Sequence, residues 1–413
     1  MTFEIKQSVS DIRTLRRSKN NFSKSEYLAK LKVLHQKKTV LKAKKEEHLT
    51  KLLEKVAGEV NQKNFSFGVT EQDVGLNKPV YREEQKPSTF FVLKQLQYNF
   101  RKLYKVKQGN RHNIVCQIRD VLPSKFPKFY IKTDIKSFYE SIPRKKLLER
   151  LESDSLLTQT SKKFIRKILY EFEQVSGSTD GLPRGIGISA YLAELYMRDV
   201  DREICNNPGV KFYVRYVDDI FVLGFLSPDE DSSLIKNHID QILTSYGLTA
   251  NPLKTTYESI SSSLTSPIEY LGYKFSMVAG VVTLSLTTSK IDRYCSRIDA
   301  SFEAYDKDLV DNPTRANKLL FQRIRFLTSN TRLSNNKKNV ITGIYFSNNL
   351  ITSTESLTAI DTHLSGKVDL VAHTRLKNRL SKLSVVDGFA QRRFFKFTSK
   401  ELSEIVRVWK HVA

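Results

Sequence analysis

Cysteine is scarce in this chain of 413 residues: Cys116, Cys205 and Cys295 stand far apart and form no C-x-x-C pair. That excludes a zinc site built on cysteine pairs and a disulfide framework, and it fits a reducing cytoplasm. Long apolar runs are missing too. No stretch approaches the roughly 20 residues that a membrane-spanning helix needs. The opening MTFEIKQSVSDIRTLRRSKNN has no apolar secretion core. A cytoplasmic protein with no membrane partner is expected. Acidic residues are also in short supply, with 44 Asp and Glu against 68 Lys and Arg, a formal net charge of +24. Such an excess favours a polyanion, because phosphate neutralisation by Lys and Arg releases condensed counterions.

What is present suits a folded core, with 40% hydrophobic and 10% aromatic residues. Residues 1–60 read as a basic segment of two amphipathic helices. Ser23 is an N-cap and Glu26, three residues on, completes a capping box. Residues 61–90 have scattered Gly, Pro, Asn and Ser and no sustained period, which predicts a loop-rich connector, followed by a helix over 91–105. From 112 to about 285 the pattern alternates. Strands are predicted at Phe129 to Thr133, Phe212 to Tyr216, Ile220 to Gly224 and Glu269 to Phe275. Helices are predicted near Arg144 to Glu152, Lys162 to Phe172, Ala190 to Cys205 and Asp231 to Tyr246. This order implies an α+β layer with helices on one face of a mostly antiparallel sheet. After residue 288 the chain reads as helical and basic, and no internal repeat is visible.

The strongest local signal is KFYVRYVDDIFVLG, residues 211–224, which sets two adjacent carboxylates between apolar, β-prone runs. A hairpin that buries Val214, Phe221 and Leu223 presents Asp218 and Asp219 at its turn. Paired aspartates inside an apolar element are costly unless a cation satisfies them. A second signal, YIKTDIKSFYESIP at 130–143, puts Asp134 at the end of another apolar strand. Alone, Asp134 reads as a turn residue and Asp-Asp as a surface turn. Together, 84 residues apart and both flanked by apolar runs, they suit two Mg²⁺ ions, whose preference is for hard oxygen ligands. A third segment, GLPRGIGISAYLAELYMRDVD at 181–201, is glycine-rich and then helical. Gly181, Gly185 and Gly187 would let backbone approach a nucleotide, although no G-K-[ST] follows.

In this order the three segments resemble motifs A, B and C of reverse transcriptases, with YVDD at 216–219 as the Y-x-D-D box. LTANPLKT at 248–255 resembles motif D, and IEYLGYKF at 268–275 resembles the motif E primer grip. The resemblance implies a right-hand polymerase. Residues 1–60 would form a basic helical N-terminal segment, 61–128 the fingers, 129–285 a ferredoxin-like palm, and 286–413 a helical basic thumb and C-terminal region. Asp134, Asp218 and Asp219 become ligands of two Mg²⁺ ions, with Mn²⁺ as a substitute, and the Ile135 carbonyl completes the set. Lys254 becomes the motif D lysine that serves pyrophosphate. Tyr139, five residues after Asp134, becomes the steric gate that selects dNTPs. Its ring reads equally well as core from spacing alone. Arg111 becomes the triphosphate-binding arginine of the fingers, Arg184 and Gly185 contact the nucleotide, and Leu271, Gly272 and Tyr273 grip the primer.

Motif B departs from the commoner Pro-Gln-Gly, with Pro183-Arg184-Gly185 here, and Ala190 replaces the proline often found after the serine. A guanidinium at 184 would meet a phosphate or base edge in place of an amide's contacts. This form looks most like bacterial abortive-infection and other antiphage-defence reverse transcriptases. The implied partners are an RNA template, a dedicated noncoding RNA, a DNA product, dNTPs, and a second copy or a partner defence protein. Retron and compact group II intron enzymes are alternatives, and a non-catalytic RNA-binding scaffold is the alternative of another class. A nucleotide cyclase would need an acidic Gly-Gly turn, and an RNA-dependent RNA polymerase would more commonly carry Gly-Asp-Asp.

Overall fold

The computed structural model describes residues 2–73, 78–124, 126–225, 232–260, 263–333 and 340–409. In chain order the helices and strands begin with α1 (Thr2–Arg17), α2 (Lys24–Val60), β1 (Thr70–Gln72), β2 (Val80–Arg82), α3 (Pro87–Leu103) and α4 (Arg111–Val121). They continue with β3 (Lys128–Asp134), α5 (Phe138–Ser141), α6 (Arg144–Ser153), α7 (Gln159–Ser176), α8 (Ser189–Cys205), β4 (Val210–Tyr216) and β5 (Asp219–Gly224). Next come α9 (Ser232–Ser245), β6 (Thr256–Ile260), β7 (Ile268–Tyr270), β8 (Tyr273–Val278), β9 (Val281–Leu286), α10 (Thr288–Asp311) and α11 (Pro313–Leu327). The last are β10 (Asn330–Leu333), β11 (Val340–Gly343), α12 (Glu355–Asp369), α13 (Thr374–Leu380), α14 (Val385–Ala390) and α15 (Ser399–Arg407). The class is α+β, as the sequence predicts. The chain divides into two units, residues 1–106 with 144–195 and residues 107–143 with 196–413.

In the first unit, Ser23 and Glu26 form the expected capping box at the start of α2. Tyr27, Leu31, Leu34, Lys38 and Leu41 are half-buried at three- and four-residue intervals, the stripe that a helix turns toward a neighbour. Leu49, Leu52 and Leu53 farther along are exposed. The stretch read as a connector contains an antiparallel pair, β1 with β2. Residues 144–195 pack with the N-terminal part for a specific reason. Phe164 of α7 meets Phe65 and Phe67 edge-on at 5.6 and 6.2 Å, Phe172 meets Tyr81 at 4.8 Å, and the Glu171 carboxylate accepts the Phe67 N–H at 3.0 Å. The segment expected to run on as palm therefore shares its core with Phe65, Phe67 and Tyr81. Arg144, buried, donates to Glu173 and to the carbonyls of Ser178, Asp180 and Gly181, which fixes the chain entering GLPRG.

In the second unit, four antiparallel strands lie in the order β4-β5-β3-β6. Phe221, Leu223 and Tyr130 join a core with Ile114, Val115 and Ile118 of α4 and with β7, β8 and β9. Residues of the opposite parity, Ile131, Ile220 and Val222, are fully buried as well, and α9 packs on β3 and β6. The sheet is thus covered on both faces, where the alternation had suggested one. The predicted strand Glu269 to Phe275 is two strands, because Leu271 and Gly272 take positive φ (48° and 73°) and close a two-residue hairpin. Beyond α11 the segment read as helical also contains the β10–β11 pair. Trp409 closes this helical region by donating its indole N–H to the Arg297 carbonyl at 2.9 Å.

Candidate active site

β3 ends at Asp134, whose Cα partner on β5 is Asp219, which in turn faces Tyr216 of β4. Asp218 therefore sits in the tight turn of the β4–β5 hairpin, one residue from a carboxylate in register with Asp134. Strand alternation alone cannot bring these together, since the contact spans two non-consecutive strands. Burial, and then the charges of Asp218 and Asp134, push the Asp219 carboxyl up from 3.8 to about 6. Asp134 is 6% exposed. One of its oxygens accepts from the Lys254 ammonium at 3.0 Å and from the Asn251 amide at 3.4 Å, while the Asn251 main-chain N–H holds its carbonyl at 2.7 Å. That contact with Asp134 raises the Lys254 pKa.

The donor set is entirely oxygen, and a divalent cation would offset both the burial and the carboxylate repulsion that lift Asp219, so these residues fit Mg²⁺. Among the described residues, no group of three or more His, Cys, Asp or Glu side chains is arranged to enclose an ion as it stands. Asp134 turns one oxygen toward Lys254 instead.

The acidic turn is held from three directions through three successive carbonyls. The Arg215 guanidinium donates to Val217 O at 2.7 Å, the Ile135 N–H to Asp218 O at 3.1 Å, and the Tyr270 hydroxyl to Asp219 O at 2.8 Å. Arg215 is itself gripped by Asp201 of α8. Sequence reasoning missed Arg215, Asp201, Tyr270 and Asn251. A charged residue one place before the YVDD box, between Val214 and Tyr216, was the signal available for Arg215.

Tyr139 lies on α5 in the same unit as the aspartates, half-buried, with its ring edge-on to Phe138 at 5.3 Å. Arg184 and Gly185 belong to the first unit. Gly185 and Gly187 lie close against neighbouring chain of that unit. A Cβ on Gly185 (φ +102°) would fall 2.6 Å from the Tyr81 carbonyl, and one on Gly187 would fall 2.5 Å from the Gln97 amide. The Arg184 carbonyl accepts the Tyr81 N–H at 2.7 Å. Arg111 opens α4 and turns to the motif E hairpin: its Nε and Nη2 donate to Leu271 O at 2.9 and 2.5 Å, and its guanidinium lies 5.2 Å from the Tyr273 ring centre. Lys290 approaches the same ring at 4.9 Å. Burial, with Arg111 and Arg293 nearby, pushes the Lys290 ammonium down to about 7. Arg111, Leu271, Gly272 and Tyr273 thus form one cluster.

Residues 82–275 match the model of the reverse transcriptase (RNA-dependent DNA polymerase) family. A putative COX1/OXI3 intron 1 protein of Saccharomyces cerevisiae is 40% identical over 76 residues, 18% of this chain and 9% of that protein. Among solved structures, telomerase from Candida albicans in complex with a TWJ fragment of telomeric RNA superposes with a TM-score of 0.37 at 14% identity, over 71% of this chain and 57% of that one. Apo telomerase from Candida tropicalis gives 0.37 at 15% identity, over 78% and 57%. The chain therefore spans a little over half the length of these telomerases and a small part of the yeast protein. The matched segment contains Asp134, Asp218, Asp219, Lys254 and the Leu271–Tyr273 turn, and the chain carries a reverse transcriptase domain over residues 82–275.

Proposed function

We propose that the protein is an RNA-directed DNA polymerase that extends a primer with dNTPs at Asp134, Asp218 and Asp219. The observation that carries this reading is the register of Asp134 with Asp219 beside the Asp218 turn, where burial and then the neighbouring carboxylates lift the Asp219 carboxyl to about 6. Two Mg²⁺ ions held by these carboxylates and the Ile135 carbonyl would ease deprotonation of the primer 3′-hydroxyl and neutralise the leaving pyrophosphate. The chain supplies the rest. Tyr139 blocks a ribose 2′-hydroxyl, and Lys254 gives a proton to pyrophosphate. Arg184 and Gly185 line the nucleotide, and Leu271, Gly272 and Tyr273 hold the primer end. Arg111, tied to Leu271 O, acts on this primer side in preference to the triphosphate. In right-hand terms, residues 61–128 act as fingers, 129–285 as palm and 286–413 as thumb.

The +24 charge supports an RNA template and a DNA product as partners. For biological setting the reading is antiphage defence in the cytoplasm, supported by Pro183-Arg184-Gly185 and Ala190 in motif B. Intron mobility is the second reading, favoured by the 76-residue likeness to the yeast intron 1 protein. Sequencing nucleic acid that copurifies with the protein separates the two, since an intron enzyme carries its own intron RNA. Synthesis itself is tested by dNTP incorporation with Mg²⁺, comparing the native chain with Asp218→Ala plus Asp219→Ala. Loss in the variant supports the polymerase, and equal incorporation leaves only the RNA-binding scaffold.

A further inference from the structure

Arg215 sits on β4 between two residues that face the core, and its side chain is 5% exposed. All three of its nitrogens are used. Nε and Nη2 bind the two carboxylate oxygens of Asp201 at 2.8 and 2.9 Å, and Nη1 donates to the Val217 carbonyl at 2.7 Å. The hydroxyl of Tyr213 donates to the same Asp201 at 2.6 Å, so the carboxylate is held on α8 from two strand positions. Burying the Arg215 guanidinium against a half-buried carboxylate is a poor way to gain stability, because well-packed apolar side chains do as well without the desolvation cost. Its geometry here serves something else.

Val217 is the residue that explains it. Its φ is +60°, a conformation that suits glycine and is unfavourable for a β-branched side chain. This is the first central position of the hairpin turn, and the next residue is Asp218. A turn with valine there opens readily unless it is held from outside. Its neighbours' carbonyls are held by Ile135 and Tyr270, and Val217 O is held by Arg215.

We propose that Arg215 is a positioning residue, which, braced by Asp201, clamps the Val217 carbonyl and thereby keeps Asp218 in the orientation that binds the divalent cation. The inference rests on the polymerase reading for its catalytic consequence, and its metal-binding consequence is read separately.

The test compares the native chain with Arg215→Met, Arg215→Lys and Asp201→Asn. Binding of Mn²⁺ to the metal-free protein is followed by electron paramagnetic resonance, and kcat and KM for dNTP are measured at saturating Mg²⁺. Arg215→Met is expected to bind Mn²⁺ about tenfold more weakly and to lose about 100-fold in kcat, with KM within about threefold, while melting cooperatively. Asp201→Asn keeps the bond to Val217 and falls between. Adding Val217→Gly to Arg215→Met is expected to restore about tenfold in Mn²⁺ affinity, because glycine takes the positive φ unaided. Arg215→Lys, which keeps the charge, is expected to recover part of the affinity as well. Mn²⁺ affinity within about twofold of native in a folded Arg215→Met overturns the inference. If that variant does not fold, unchanged affinity in folded Asp201→Asn overturns it instead. A native chain that binds Mn²⁺ but incorporates no dNTP sinks the polymerase reading alone.

Discussion

The hydroxyl of Tyr270 donates to the main-chain carbonyl of Asp219 at 2.8 Å, joining β7 of the three-stranded sheet to the acidic hairpin of the four-stranded one. Burial, followed by the Asp219 charge, pushes that hydroxyl well above its ordinary range, so it remains a donor at any working pH. Tyr270→Phe keeps the ring and removes the donor. The expected cost is about 1 kcal/mol in urea unfolding, with kcat reduced roughly fivefold at saturating dNTP. Unchanged kcat with reduced stability would mean that the bond serves the fold alone.

Asp219 links pH to stability in an unusual direction for a carboxylate. Its folded carboxyl stands at about 6 against 3.8 ordinarily, so its contribution is fully present below the lower value and is lost as pH rises through about 6. Asp219→Asn removes that loss. In EDTA the variant should be more stable than the native chain by ~1–3 kcal/mol at pH 7, with the gap closing toward pH 4. Thermal melts across that range check it. Mg²⁺ affinity of the native chain should rise over the same window, because binding requires the proton to leave.

Lys254 donates to an Asp134 oxygen that the proposed cation would also need. Lys254→Ala should lower kcat by about 10- to 100-fold through loss of a proton donor. Its Mn²⁺ affinity should hold or tighten. Weaker metal binding in the variant would show that the ammonium supports the site instead of competing for it.

Tyr139→Ala should open the site to ribonucleotides. The ratio of kcat/KM for dNTP over NTP is expected to fall by about 100-fold, measured in competition between the two pools. An unaltered ratio would remove Tyr139 as the sugar gate.

Gly185→Ala should destabilise the first unit by about 2–4 kcal/mol, since the new Cβ meets the Tyr81 carbonyl at 2.6 Å in a backbone conformation with φ +102°. Gly177→Ala is the control. It shares a positive φ, +68°, but no atom lies within 4 Å of its Cβ position, so about 1 kcal/mol is expected.

The Ser23 capping box, the strands on either side of Asp218 and the α+β class were all legible in the sequence, because each depends on residues a few places apart whose side chains set the local backbone. The three aspartates could be named for the same reason: a charge inside an apolar strand is conspicuous wherever the chain goes. Short pairs such as β1–β2 and β10–β11 were not legible, since three- or four-residue strands carry too few alternations to stand out from loop.

What the sequence by itself determined, then, is the longer helices and strands and the place of the three aspartates among apolar runs. Only the tertiary structure decided that Asp134 faces Asp219, that Arg111 turns to Leu271 and that the motif B glycines pack against Tyr81 and Gln97. Each of these joins positions 85 to 160 residues apart. Such contacts follow from strand order and from the volume left between packed side chains, neither of which any local pattern encodes.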